Sequence, residues 1–150
     1  MRRSERKKAD PDLGILTSRT LFAFQGELFG RLAEEEGMKK LRPRHGAVLA
    51  FLDEEGSRAT DLSTQSGQHK QVIGTLVDEL VELGYVERRP DPEDRRAKLI
   101  VPTELGLRHM RRSDEIVAEI EHRHAENVGA ADYAAFKRVL RLVSRSGAAT

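Results

Sequence analysis

Apolar residues return every three to five positions along most of this chain, and once only, between Tyr85 and Val101, the period drops to two. A period near 3.6 marks a one-sided helix, and a period of two marks a half-buried strand. The chain therefore has material for one antiparallel ribbon set among helices. Sandwiches, closed barrels and doubly wound parallel sheets all need more strands, so they are excluded. The ribbon is expected over 85–89 and 97–101, joined by the turn-rich, charged stretch 90–96.

The helices follow from spacing and punctuation. Residues 1–12 are expected as a mobile arm, with five basic and two acidic side chains in the first ten. From Leu13 a long stripe runs through Leu16, Leu21, Phe24, Leu28 and Leu32, widened by Phe22 and Phe29 and ended near Gly37. A second helix is expected from Pro43 to Gly56, with His45, Val48, Leu49 and Leu52 inward. A short third spans 60–66 around Leu62. A fourth spans 69–83, with Val72, Ile73, Leu76, Val77, Leu80 and Leu83 inward and Gly84 as its stop. After the ribbon, Thr103 is expected to cap a helix from 104 to about 127, with Leu105, Ile116 and Ile120 on its apolar side. Gly129 breaks it, and Asp132 is expected to cap a last helix carrying Tyr133, Phe136, Val139, Leu140 and Val143. The expected class is mainly α with a small two-stranded wing (α+β).

Composition removes several function classes. Lys and Arg total 26 against 25 for Asp and Glu, a formal charge of +1. Binding to a polyanion must then come from charge sorted onto one face. Hydrophobic residues make up 38% and aromatics 5%, a thin core whose burial oligomerisation would complete. The absence of cysteine excludes disulfides, thiolate metal sites, a cysteine nucleophile and thiol redox switching. The longest apolar run, 47–52, is too short to span a bilayer. The basic start leads into Ala9-Asp10-Pro11-Asp12 rather than an apolar stretch, so it does not read as a signal peptide. The expected location is the cytoplasm, with no membrane partner.

Two short helices joined by a glycine-containing turn, followed by a two-stranded ribbon, spell a winged helix-turn-helix of about 60 residues. Three segments carry a closer likeness: Leu80-Val81-Glu82-Leu83-Gly84-Tyr85-Val86-Glu87-Arg88, Asp94-Arg95-Arg96-Ala97-Lys98 and Thr103-Glu104-Leu105-Gly106. In these the chain resembles the MarR family of bacterial transcriptional regulators, over about residues 13–146. The resemblance implies a homodimer, with winged heads on a helical stalk, binding double-stranded DNA at a pseudo-palindromic operator. It also implies a repressor released by a small aromatic or phenolic effector held between head and stalk. Residues 41–103 would be the DNA-binding domain, and 13–40 with 104–146 the dimerisation region. The chain departs from the family at His69, where Ser or Thr usually caps the recognition helix. It departs again at Ser66 and Gln68, where apolar residues are usual, and at Pro102, which ends the second strand.

Candidate contacts follow from these placements. His69, Lys70, Gln71, Gly74 and Thr75 lie on or beside the polar face of the fourth helix. Gln71 suits adenine, and Lys70 suits guanine or a phosphate. Gly74 costs roughly 1 kcal/mol against alanine in a helix interior, which close approach of DNA would justify. Arg88, Arg89, Asp94, Arg95 and Arg96 make up the wing. By the resemblance, Arg95 or Arg96 enters the minor groove while Asp94 braces it. Arg44 and Arg58 are candidate phosphate contacts. Leu13, Leu16, Leu21, Tyr133, Phe136, Leu140 and Val143 are candidates for the dimer surface, and Phe24 and His45 for an effector pocket.

Other clusters read more plainly. Glu115, Glu119, His122 and Glu126 share a helix face at metal-like spacing, but a solvated charged face accounts for them, so no metal or other cofactor is expected. No phosphate loop, nucleophile elbow or zinc-protease motif occurs, so no enzyme activity is expected. The competing reading is a winged helix that binds a partner protein without an operator. Such a module has no need of Asp94-Arg95-Arg96.

Overall fold

Strands β1 (Val86–Pro90) and β2 (Lys98–Pro102) pair antiparallel, with Val86 opposite Pro102 and Pro90 opposite Lys98. Each ends on a proline, which cannot extend the ladder. Ser57 adds a one-residue bridge to Ile100 on the outer edge of β2. The computed structural model describes residues 1–38 and 40–146; Lys39, inside the expected stalk range, lies outside them.

Helices α1 (Arg3–Ala9) and α2 (Leu13–Glu34) precede a 3-10 turn at Pro43–His45 that runs into α3 (Gly46–Leu49). Then come α4 (Ala59–Ser66), α5 (Lys70–Glu82), the two strands, α6 (Glu104–Val128) and α7 (Ala130–Ser146). Residues 1–12, expected as a mobile arm, instead carry α1, which buries none of its residues. The helix expected from Pro43 to Gly56 is regular only to Leu49. Asp132 is not a cap: α7 begins at Ala130, and the Gly129 carbonyl accepts the Tyr133 N–H at 3.0 Å.

Two apolar clusters organise the chain. The head cluster joins Leu41, Val48, Leu49, Leu52 and Leu62 to Ile73, Leu76, Val77 and Leu80 of α5, then to Tyr85, Val86 and Ile100 of the ribbon. The stalk cluster joins Leu28, Leu32 and Met38 to Ile116 and Ile120 of α6. Phe29 and Leu105 pack against both. Ion pairs reinforce the α2–α6 contact: Arg31 with Glu119, Arg123 with Glu27 at 2.5 Å, and Arg112 with Glu35 at 2.5 Å. The carboxylate stripe of α6 is largely used this way, since Glu115 also pairs with Arg112, and His122 pairs with Glu126.

The Thr103-x-x-Gly106 signature has a steric and a hydrogen-bonding basis. Thr103 Oγ1 accepts the Gly106 N–H at 3.2 Å and donates to the Gly84 carbonyl at 2.6 Å. A Cβ on Gly106 would lie 2.1 Å from the Tyr85 carbonyl oxygen. Only glycine lets the start of α6 sit this close to the chain entering β1.

Candidate nucleic-acid interface

The turn between α4 and α5 is tight because Gly67 takes a left-handed conformation, φ +74°, at the α4 C-cap. Ser63 Oγ donates to the Gln68 carbonyl at 2.6 Å, and the Gln68 N–H donates to Ser66 Oγ at 3.2 Å. The polar residues at 66 and 68 thus replace apolar packing with hydrogen bonds inside the turn. His69 is the α5 N-cap but makes no side-chain cap bond, so the first N–H groups of α5 face outward without one.

Helix α5 is strongly two-faced. Ile73, Leu76, Val77 and Leu80 are buried, while Lys70, Gln71, Thr75 and Asp78 are exposed. The expected contact residues His69, Lys70, Gln71 and Thr75 therefore share the outer surface, with Gly74 among them. No other atom lies within 4 Å of an ideal Cβ at Gly74, so packing does not require the glycine. Val72, expected inward, is exposed because it faces a cavity.

The wing is braced from below and free at its tip. Asp91, 5% exposed, accepts two bonds from Arg58, Nε at 2.6 Å and a terminal nitrogen at 2.5 Å. Its other oxygen accepts the Glu93 N–H at 2.9 Å. These bonds hold the Asp91 carboxyl below its ordinary range, the backbone N–H first and Arg58 after it. Arg88 is tied to Asp78 of α5 at 2.6 Å, and Arg89 pairs with Glu87. Asp94 turns the tip by accepting the Arg96 N–H at 3.0 Å. It thus positions the Arg96 backbone, not a guanidinium. Arg95 and Arg96 are exposed and have no ion-pair partner among the described residues.

Arg44 and Arg58, the candidate phosphate contacts, are both engaged in the protein. Arg58 locks Asp91, and Arg44 Nε donates to Glu79 of α5 at 3.1 Å. Sequence reasoning missed Asp91 and Glu79 as partners, because each lies more than thirty residues from its arginine.

A cavity of about 850 Å³ lies between head and stalk. Phe24, Phe29, Phe51 and Leu21 give it an apolar wall, Val72 and Leu76 bring α5 into it, and His109 and Val117 close it from α6. Phe24 is thus where the pocket reading expected it. His45 is not on the wall: it is buried against Glu79, with Nε2 donating at 2.8 Å and Nδ1 accepting the Arg42 N–H at 2.9 Å. Leu21, expected at the dimer surface, lines the cavity as well. His109 is 3% exposed with no partner for Nδ1, and burial pushes its pKa down to about 4. It meets Tyr85 edge-to-face with ring centroids 5.8 Å apart.

Of the other candidates for the dimer surface, Leu13, Leu16, Phe136, Leu140 and Val143 are exposed. Tyr133 is instead half-buried, with its hydroxyl 3.1 Å from His124 Nδ1.

The architecture is that of a winged helix-turn-helix DNA-binding fold. The MarR family model matches residues 40–97. The chain is 30% identical to CouR from Rhodococcus jostii RHA1, whose crystal structure holds p-coumaroyl-CoA; the match covers 89% of this chain and 92% of that one, with TM-score 0.72. It is also 30% identical to a MarR-family regulator from Rhodococcus sp. RHA1, covering 88% and 91%, with TM-score 0.69. It is 31% identical over 97 residues to the HTH-type transcriptional repressor IacR of Pseudomonas putida, 64% of this chain and 58% of that repressor. This chain belongs to the MarR family of transcriptional regulators. No helix among the described residues is long and apolar enough to cross a membrane.

Proposed function

We propose that the protein is a homodimeric repressor that binds a pseudo-palindromic operator in double-stranded DNA and is released by a small aromatic effector. One observation carries the DNA reading: an uncapped, outward-facing α5 N-terminus lies on the same head as a braced wing whose Arg95 and Arg96 are unpaired. In this reading α5 enters the major groove, where base edges are distinguishable. The wing arginines suit the negative potential of the minor groove. Residues 41–103 form the DNA-binding domain, and a partner-protein module would leave the free wing arginines unexplained.

Dimerisation rests on the uncovered apolar residues of α2 and α7, Leu13, Leu16, Phe22, Phe136, Val139, Leu140 and Val143. Covering them needs an interface of the obligate kind, above about 2,000 Å². Two recognition helices would then stand one DNA turn, ~34 Å, apart. The cavity supports the effector reading, and CouR, with p-coumaroyl-CoA bound, gives it a precedent. With no cysteine, thiol oxidation is not available as the trigger.

Selection of bound duplexes from a random pool tests the reading; an inverted repeat is expected, and recovery of no enriched sequence overturns it. On the selected site, Gln71→Ala is expected to cost ~1–3 kcal/mol at one base position per half-site. Arg96→Ala, or Arg95→Ala, is expected to weaken all sequences alike and to lower the salt slope by about 1 for each phosphate left without its cation.

A further inference from the structure

The cavity wall and the recognition helix share one ion pair. Arg44 lines the cavity, and its Nε donates to Glu79 Oε2 on α5. The same oxygen accepts His45 Nε2 at 2.8 Å. A guanidinium has five N–H donors, and only the Nε donor of Arg44 has a partner among the described residues. Arg44 is 57% exposed, so its terminal nitrogens are open to a ligand. No other cation lines this cavity among the described residues. The deep polar group is His109, whose buried imidazole stays neutral at physiological pH and supplies no second positive charge. The remaining charged group on the wall is Asp114.

We propose that Arg44 is the coupling residue of the effector site: the carboxylate of an apolar organic acid in the cavity takes the Arg44 guanidinium, and Glu79 thereby loses its hold on the segment 43–46. The proposal rests on the effector reading above and adds the charge of the ligand and the route to DNA. One cation serves two carboxylates less well than one, and two carboxylates drawn to it repel each other. Glu79 lies one turn or so beyond Leu76 and Val72, which touch the cavity contents directly. A bound acid therefore acts on α5 both by contact and by competition for Arg44. The coupling is reciprocal: operator binding that favours the Arg44–Glu79 pair must weaken the acid by the same factor.

The test uses the full-length protein and a matched pair of probes, 4-hydroxycinnamate and its methyl ester, titrated by calorimetry without DNA. The acid is expected to bind about tenfold or more tightly than the ester, in the range of a charge-assisted bidentate contact. Arg44→Gln is expected to bring the two within about twofold while leaving the ester unchanged, and Arg44→Lys to keep part of the preference. Glu79→Gln removes the competitor and is expected to tighten the acid by about fivefold or more, the lower end of typical coupling. Equal affinity of acid and ester, binding of neither, or a preference that survives Arg44→Gln would each overturn the proposal. Failure of the wild type to bind any duplex would sink the repressor reading alone, because the acid-to-ester ratio is measured without DNA. The coupling is then read on the selected operator by fluorescence anisotropy. There the acid is expected to lower wild-type DNA affinity, and its effect is expected to shrink in Glu79→Gln. An undiminished effect in that variant counts against Glu79 as the link.

Discussion

The head closes its own core, and the outer ends of the chain do not. Twelve buried residues from Leu41 to Ile100 fill the head, and each of its elements contributes. By contrast, no described residue of α7 is buried, though the helix carries Phe136, Val139, Leu140, Leu142 and Val143. The first half of α2 is alike, with Leu13, Leu16, Leu21 and Phe22 exposed. Both regions have helical apolar stripes of similar quality in sequence. The difference lies in what is available to cover them. The head folds three helices and a ribbon around one centre, whereas α7 has only α6 to pack on. An amphipathic stripe therefore reports that a partner exists, not whether the partner is in the same chain.

The sharpest way to break this comparison is to delete the same side chain in both regions. Leu80→Ala removes a fully buried head residue and is expected to cost about 2–5 kcal/mol of unfolding free energy. That cost should be independent of the probe, since the head unfolds as a unit. Leu140→Ala starts from a residue 38% exposed in the protomer. Its effect is expected to appear mainly as a steeper dependence of the urea midpoint on protein concentration. Equal midpoint shifts for the two variants at every concentration would show that α7 is not covered by a second copy.

The joint between the two regions offers a smaller, pH-dependent handle. His109 of the stalk packs on Tyr85 of the head, and its pKa is lowered from 6.5 to about 4. As pH falls below 6.5 the unfolded chain takes up a proton that the folded chain refuses. Stability is therefore lost from about pH 6.5 down to about pH 4, at up to about 1.4 kcal/mol per pH unit. By pH 5 the loss approaches 2 kcal/mol on the same arithmetic. Urea titrations of the wild type and His109→Gln at pH 7 and pH 5 measure it. The variant is expected to lose most of the slope, and an unchanged slope would mean that the head–stalk joint opens enough to hydrate the imidazole.

The sequence made the head's elements legible because local signals and tertiary packing agree there. Gly67, Gly84 and Gly129 fall at left-handed or helix-ending positions, and Thr103 caps α6 as its spacing with Gly106 implies. The exposed face of α5 was legible for the same reason, since Ile73, Leu76, Val77 and Leu80 leave Lys70, Gln71 and Thr75 outward. Long-range polar pairing was not legible. Nothing local tells Arg58 that it will brace Asp91, or Arg44 and His45 that they will converge on one Glu79 oxygen. The cavity was hidden for a different reason. Val72 and Phe51 have the chemistry of core residues, and only the three-dimensional arrangement leaves them facing empty volume. The N-terminal helix was missed because it buries nothing and so leaves no apolar period to read.

The smallest expected effect separates what the head needs to fold from what its surface needs to bind. Gly74 sits inside α5, where alanine is better by about 1 kcal/mol. A Cβ there meets nothing within 4 Å. Gly74→Ala is therefore expected to raise the unfolding free energy by about 1 kcal/mol, because the helix gains propensity and its packing is undisturbed. If DNA approaches α5 at this position, the added methyl group must push it back, and operator affinity should fall although the fold is firmer. Chemical denaturation and anisotropy on the same preparation read the two quantities together. A variant that is more stable and binds DNA as tightly as the wild type would show that the glycine does not face the DNA closely. The register of α5 in the groove would then have to turn so that Gln71 or Thr75, rather than residue 74, lies closest to the bases.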